Sequence, residues 1–144
     1  AHHSRGNYFS PIWKKVAAAF TVLLIMVGPA IWIAGLTLGT SFVMGFVGFY
    51  LYYEWYHHWE HVSEGFGPVG RYLRKHHFYH HFHNPRTNHG VTSPFWDIVF
   101  RTHEKPEVIR VPSKLKMHWL CDPQTGDVRD HLKDDYSLRK PKSK

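Results

Sequence analysis

Cysteine is nearly absent from this sequence, and its scarcity excludes two kinds of architecture. Cys121 is the single cysteine among 144 residues. One thiol cannot build a disulfide framework, and it cannot supply the paired cysteines of a zinc-finger site. The chain must therefore fold without covalent cross-links, which fits a protein that faces a reducing compartment.

Ionisable side chains are missing from one long continuous stretch. Residues 16–53, a run of 38, contain no Lys, Arg, Asp, Glu or His. A helix in the core of a soluble protein usually keeps a polar face, and this stretch has none. It is also too long for the apolar part of a signal peptide. We therefore favour a membrane-embedded segment over a buried helical hairpin of a soluble protein.

The length of the apolar stretch predicts two membrane spans. One helix of this length would extend roughly 57 Å, whereas the hydrocarbon core of a bilayer is about 30 Å thick. Small and polar residues gather at 35–40, where the chain is expected to turn. The prediction is a helical hairpin with spans at about 16–34 and 40–56, which returns the chain to the side where it started.

The distribution of basic residues predicts the orientation of this hairpin. The net charge is +7 with neutral histidines, and every Lys and Arg lies outside the short turn. By the positive-inside rule, both ends of the hairpin should face the cytosol. A basic chain can also bind nucleic acid, but the apolar stretch favours a membrane surface as the partner, and no nucleic-acid partner is predicted.

Histidine is the residue that the chain has in excess. There are 14, and most of them fall into three groups. Residues three or four apart share one face of a helix, whereas adjacent histidines point about 100° apart and suit two neighbouring ions. Three such groups on one side of a membrane predict a site for two metal ions. The candidate ligands are His2, His3, His57, His61, His77, His80 and His81, and the isolated His118 and His131 are expected to lie elsewhere.

The ligands alone do not select the metal, because imidazole binds iron, zinc, copper and nickel. If the substrate is a lipid chain, its C–H bond has no usable acidity and requires an oxidant made from O₂, hence a redox metal. Zinc has no redox chemistry. The chemistry therefore favours two iron ions, although zinc can occupy such a site in a purified sample.

Two carboxylates are candidates for supporting the ligands. A metal-bound imidazole usually donates its second N–H to a carboxylate or a carbonyl. Glu54 lies one helical turn before His57, so it could accept that bond or simply meet water at the membrane edge. Asp97 could cap a helix or hold a histidine in place. No catalytic residue is predicted beyond the metal ligands.

The rest of the chain completes a single all-α domain in this interpretation. A cytosolic, histidine-rich helical cap at 57–104 should bind the metal, with a helix from Val69 to His83. Residues 105–144 are expected to form a polar C-terminal tail, in which 108–112 is either a short strand or an extended segment. Because the chain begins at Ala1, it is interpreted as a fragment, with further histidines expected upstream.

These motifs resemble the fatty acid hydroxylase / sterol desaturase superfamily from His2 to about Thr102. The most specific likeness is the group of His77, His80 and His81 followed by Gly90-Val-Thr-Ser-Pro-Phe-Trp-Asp97, which is similar to the last histidine box and the signature of the fatty acid 2-hydroxylase branch. The segment with Glu54, His57 and His61 resembles the preceding box, and His2-His3 the end of an earlier one. Arg101 stands where glycine is usual, and His89 where an aromatic residue is common.

The resemblance implies a di-iron oxygenase of the endoplasmic reticulum or the bacterial inner membrane. Such an enzyme would hydroxylate or desaturate a lipid acyl chain, using O₂ and electrons from a partner such as a cytochrome b-type protein or a ferredoxin with its reductase. Two alternatives stay open. One is a sterol or carotenoid oxidase on the same scaffold, and the other is a non-catalytic metal-binding membrane protein.

Overall fold

The computed structural model describes residues 9–65 and 67–139, and the described chain is mostly helical. It divides into two compact units. The first unit consists of residues 9–56, and the second contains the described residues from His57 onward. The apolar stretch without ionisable residues, 16–53, lies in the first unit, and the clustered histidines of the described chain lie in the second.

The first long element, α1, is assigned to Ile12–Val62 but is interrupted at Gly35. Gly35 has φ 78° and ψ 170°, which is not a helical conformation. A positive φ is readily adopted only by glycine, because a side chain at this position would clash with the backbone. The interruption thus falls at the start of the 35–40 stretch where a turn is expected, and helical structure continues past residue 56.

Two contacts inside the first unit join the segments that precede and follow Gly35. The Lys15 ammonium lies 2.6 Å from a carboxylate oxygen of Glu54. A methyl group built on Gly39 would come within 2.5 Å of the Ala30 carbonyl oxygen, so only glycine permits this approach. The two segments therefore touch near the interruption and again close to their far ends.

The apolar side chains of α1 are mostly displayed on the outside of this unit. Its most hydrophobic 18-residue window is only 6% buried, whereas the core helix of a soluble protein is mostly buried. Large exposed side chains include Phe20, Trp32 and Phe42. By length and composition, α1 is able to cross a membrane.

The second unit is built on α2, which runs from Gly67 to Phe82. This agrees with the helix expected from Val69 to His83 to within two residues at either end. α2 follows a break at which Gly65 and Gly67 both have positive φ, and it stops just before Asn84-Pro85, because proline cannot continue the hydrogen-bond pattern. A five-residue helix, α3, follows at Phe95–Val99.

The C-terminal region differs from the expected polar tail, and the domain is not purely α-helical. Strands β1 (Ile109–Pro112) and β2 (Tyr136–Arg139) pair in parallel, with Ile109 opposite Tyr136. Short 3₁₀ turns lie at Ser113–Leu115 and Asp130–Leu132. The region 108–112, which the sequence left open between strand and extended segment, is thus largely a strand.

This region also supplies most of the hydrophobic core of the second unit. Its apolar residues occur singly or in short runs among charged and polar ones, which gives the segment a polar composition. Folding gathers them around Phe78 of α2, so they are buried despite their dispersed order in the sequence. The buried members are Ile109, Val111, Met117, Trp119, Leu120, Cys121, Val128, Leu132 and Tyr136.

Candidate metal centre

Four imidazoles from two helices meet in the second unit. The last turns of α1 carry His57 and His61, and the end of α2 carries His77 and His81. Each pair is four residues apart and therefore lies on one helix face. One nitrogen from each of the four lies within 4.8 Å of the others, and Nε2 of His61 is 3.0 Å from Nε2 of His77. Four of the seven predicted ligands are thus brought together.

The environment of this group keeps its inner imidazole uncharged. His61 and His77 are buried, and His57 and His81 are partly buried. Burial, together with the charges that neighbouring histidines would carry, holds the pKa of His77 well below its usual value. A neutral imidazole keeps the lone pair with which histidine binds a metal.

The donor set fits a metal ion. Histidine nitrogens lie about 2.0–2.1 Å from a bound zinc ion, so two ligands of one such ion are roughly 2.9 to 3.4 Å apart when they are neighbours. The His61–His77 distance of 3.0 Å falls in this range. The group as a whole, at up to 4.8 Å, needs only a small contraction. All four ligands are imidazoles, which suit iron, zinc, copper and nickel.

Among the described residues, His80 is the one predicted ligand outside this group of four. His80 lies beside it, with its ring centroid 6.5 Å from that of His77. Its Nδ1 is 2.8 Å from the Thr87 carbonyl oxygen, the type of bond that often orients a metal-binding histidine through its other nitrogen. His2 and His3 lie outside the described residues.

Asp97 has the role of holding a histidine, although that histidine is not one of the predicted ligands. Its carboxylate is 3.0 Å from Nε2 of His76, and it accepts hydrogen bonds from the His89 and Gly90 backbone N–H groups and the Thr102 hydroxyl. Burial opposes ionisation of Asp97, but these hydrogen bonds outweigh it and lower its pKa to about 2. The ionised Asp97 must accept, so His76 carries its proton on Nε2.

Gly90 is required for this arrangement. A methyl group at this position would lie 2.0 Å from the Ser93 carbonyl oxygen and 3.0 Å from the Asp97 carboxylate. A side chain here would push the turn away from Asp97. Gly90 and Asp97 of the signature motif therefore act together, fixing the loop that follows α2 against His76.

The other candidates have clear positions. Glu54 forms an ion pair with Lys15 in the first unit. Nε2 of His131 lies 2.7 Å from a carboxylate oxygen of Glu64, in an exposed pair. His118 is exposed. Neither His118 nor His131 belongs to the four-imidazole group, as expected.

The C-terminal region supports the site in a way that the sequence did not reveal. Nε1 of Trp119 donates a 3.0 Å hydrogen bond to the His61 carbonyl oxygen. Its ring stacks on Phe78, which in turn contacts the His61 ring edge-on. The last carbonyls of a helix have no partner inside the helix. Trp119 therefore caps α1 directly at a candidate ligand.

Arg74 completes this cap with a buried cation. It donates to the Ser63 carbonyl oxygen at 2.9 Å and to the Tyr136 hydroxyl at 3.1 Å, and it lies over the Trp119 ring at 4.3 Å. A positive charge is favourable at the C-terminal end of a helix, where the carbonyl dipoles point. The Trp119–His61 and Arg74–Tyr136 hydrogen bonds join residues 58 and 62 positions apart, so local spacing in the sequence could not predict them.

Glu60 is a further buried group whose place the sequence did not predict. It is fully buried, and neither carboxylate oxygen has a hydrogen-bond partner among the residues that the structure describes. Burial raises its pKa well above the usual value, partly offset by the charge of Arg74. Burial near the end of α1 thus favours the protonated form of this side chain.

A helical chain with an apolar helix able to cross a membrane, and with four clustered histidines that could hold a metal ion, has the features of a histidine-rich membrane protein. The sequence profile named "Fatty acid hydroxylase" matches residues 1–102. The chain therefore belongs to the fatty acid hydroxylase family, and the resemblance read from its histidine motifs is confirmed.

Two curated relatives give the level of similarity. The chain is 37% identical over 67 residues to the ceramide very long chain fatty acid hydroxylase of Saccharomyces cerevisiae, covering 46% of this chain and 17% of that protein. It is 40% identical over 53 residues to the dihydroceramide fatty acyl 2-hydroxylase of Arabidopsis thaliana, covering 37% of this chain and 22% of that one. The matches thus span about a fifth of each relative. No solved structure matches the chain.

Proposed function

We propose that this chain is the metal-binding part of a membrane-bound oxygenase that hydroxylates a lipid acyl chain. The observation that carries the proposal is the convergence of His57, His61, His77 and His81 in a chain of the fatty acid hydroxylase family. Both relatives are named as hydroxylases of fatty acyl groups, which favours hydroxylation over desaturation.

The four clustered histidines would hold one iron ion, and His80, His2 and His3 would complete a site for two. When bound, iron supplies the one-electron chemistry that activates O₂, which no side chain can provide. Zinc could occupy the same nitrogens in a purified sample but would not support the reaction.

The protein's own contribution is to present these ligands in a fixed, water-poor setting. Burial keeps the imidazole of His77 neutral and ready to bind. Trp119 and Phe78 cover the inner side of His61 and anchor the end of its helix. The bond between His76 and Asp97 fixes α2 beside the following loop. Ligands held by such contacts lose less freedom on binding a metal.

The balance of the reaction requires an electron donor. Insertion of one atom of O₂ into a C–H bond leaves the other to become water, which consumes two electrons and two protons. We therefore propose delivery by a separate cytochrome b-type protein, or by a ferredoxin with its reductase.

We further propose that the first unit is a membrane hairpin with both ends in the cytosol. Three observations support a hairpin: the helix interruption at Gly35, the Lys15–Glu54 pair, and the exposed apolar side chains of α1. The positions of Lys and Arg outside the turn support the cytosolic orientation. The membrane would be the endoplasmic reticulum or a bacterial inner membrane.

The test uses the full-length protein in membranes, supplied with iron, a reductant and long-chain acyl lipids. We expect O₂ consumption and a hydroxylated lipid. His61→Ala should lower product formation by more than about 100-fold and reduce bound metal, because it removes a ligand at the centre of the group. His80→Ala should also abolish turnover if His80 completes the site.

The matched control is His131→Ala, which changes a histidine of the same unit outside the group and should retain activity and metal content. Full activity in the His61→Ala variant would refute the assignment. Products from sterols or carotenoids alone would favour the oxidase alternative. Metal binding without O₂ consumption across a broad lipid panel would favour a non-catalytic metal-binding protein.

A further inference from the structure

The short helix α3 displays an apolar surface that has no role in the candidate metal centre. Within the six residues 95–100, five are large and apolar, and each is between 51% and 69% exposed. Asp97 is the exception, at 2% exposed. We call the exposed side chains the α3 patch; its members are Phe95, Trp96, Ile98, Val99 and Phe100.

The α3 patch is presented by a fixed backbone. The carboxylate of Asp97 binds His76, His89, Gly90 and Thr102, while its carbonyl oxygen accepts the Thr102 and His103 backbone N–H groups. The Phe100 N–H bonds the Trp96 carbonyl oxygen, and their rings stack at 5.7 Å. Side chains held outward in this way cannot turn inward to escape water. A contiguous patch of this kind marks a binding surface.

We propose that the α3 patch binds the lipid bilayer, with its side chains at the boundary between headgroups and acyl chains. This inference rests on the membrane localisation proposed above. Trp and Phe are suited to that boundary, because a large apolar ring can enter the acyl region near polar headgroups. Arg101 follows directly and is exposed, where its guanidinium can pair with lipid phosphates.

A bilayer fits the patch better than a soluble partner does. The same chain carries α1, which is able to cross a membrane, so a bilayer is within reach of every molecule. The patch also has a direct connection to α2 through Asp97 and His76, the neighbour of the candidate ligand His77. Insertion of α3 would therefore hold the histidine helix close to the layer in which acyl lipids reside.

Site-specific labelling tests the depth of α3. The full-length protein with Cys121→Ala is placed in nanodiscs, one molecule per disc, made of phosphatidylcholine and phosphatidylglycerol. A small fluorophore is attached at Ile98→Cys or, independently, at Val99→Cys, which leaves Trp96 and Phe100 in place. Quenching by brominated acyl chains reports the lipid phase, and quenching by iodide reports water. Gln124→Cys, on an exposed turn of the same unit, is the matched control.

We expect brominated lipid to quench the α3 labels at least threefold more strongly than the label at Gln124→Cys, and iodide to show the reverse order. Strong iodide quenching at α3 would overturn the inference. Protection from both quenchers would also overturn it, because the patch would then be covered by protein. Phe42→Cys in α1 separates the two proposals: if it is lipid-quenched while α3 is not, the membrane localisation stands and only the α3 inference fails.

Discussion

Asp97 is the residue on which most polar contacts of the loop after α2 depend. It joins His76 on the helix to His89, Gly90 and Thr102 in the loop. Its carboxylate is buried and yet ionised, because four donors replace the water that it has lost. Removing the charge should therefore loosen the loop and the helix together.

The lowered pKa of Asp97 predicts how its contribution to stability changes with pH. Its pKa is about 2 in the folded protein, below the value of about 3.9 expected in an unfolded chain. The stabilisation is therefore complete above about pH 4 and is lost as the pH falls towards 2, and it amounts to about 2 kcal/mol. The measurement is the free energy of unfolding of wild type and of Asp97→Asn in detergent micelles. The excess stability of wild type should decrease as the pH falls through this range.

The exposed carboxylate of Asp134 provides the control for this measurement. Asp134→Asn should differ little from wild type at any pH, because an exposed charge contributes little to stability. A difference between wild type and Asp97→Asn that stayed constant from pH 6 to about pH 2.5 would contradict the ionised, hydrogen-bonded state of Asp97.

Arg101 occupies a backbone conformation that favours glycine. Its φ is 59°, which costs a residue with a side chain about 1–2 kcal/mol. We expect Arg101→Gly to raise the free energy of unfolding by about 0.5–1 kcal/mol after the greater entropy of glycine in the unfolded chain is subtracted. Thermal unfolding in detergent measures this. Arg110→Gly, in the extended strand β1, should instead destabilise, and a loss of stability in both variants would refute the strain at Arg101.

At the scale of elements, the cap on the C-terminal end of α1 links the metal site to the rest of the second unit. The His61 carbonyl oxygen is bound by Trp119, and the Ser63 carbonyl oxygen by Arg74. The helix end that carries a candidate ligand is thus fixed by α2 and by the C-terminal region. Weakening this cap should affect the position of His61 as well as stability.

Trp119→Phe tests this link. The change removes the indole N–H but keeps an aromatic ring against Phe78 and Arg74. We expect a loss of about 1 kcal/mol in stability, because the buried His61 carbonyl oxygen loses its donor. Metal affinity, measured by competition with a chelator, should fall several-fold at a temperature where the variant is fully folded. The control is Trp96→Phe, at an exposed site, which should change neither stability nor metal affinity. Unchanged metal affinity in Trp119→Phe would show that the cap does not position His61.

The elements also show what the sequence could predict. The spacing of His57 and His61, and of His77 and His81, correctly placed each pair on one helix face, because helical periodicity is local. The pairing of Asp97 with His76 depends on a turn at Gly90, and the bond from Trp119 to His61 spans 58 residues. Such partners depend on tertiary packing, so they cannot be predicted from local spacing or composition.

At the scale of the whole molecule, the proposed hairpin makes a prediction about sidedness. Thr37→Cys, close to the interruption at Gly35, should react with a membrane-impermeant thiol reagent only from the non-cytosolic side. Gln124→Cys should react only from the cytosolic side, because the two ends of a hairpin return to the same side. Labelling of Thr37→Cys from the cytosol in intact membranes would rule out this topology.

The family match and the folded unit do not end at the same place. The match stops at residue 102, but Asn88 exchanges two hydrogen bonds with the backbone of Glu104, and the cap on α1 comes from residue 119. A protein trimmed to the matched segment would keep its clustered histidines. It would lose Trp119 and the other C-terminal core residues that pack beside them. Substitutions at the C-terminal residues that hold this helix end should therefore also be tested for an effect on the candidate metal centre, even though they lie beyond the matched segment.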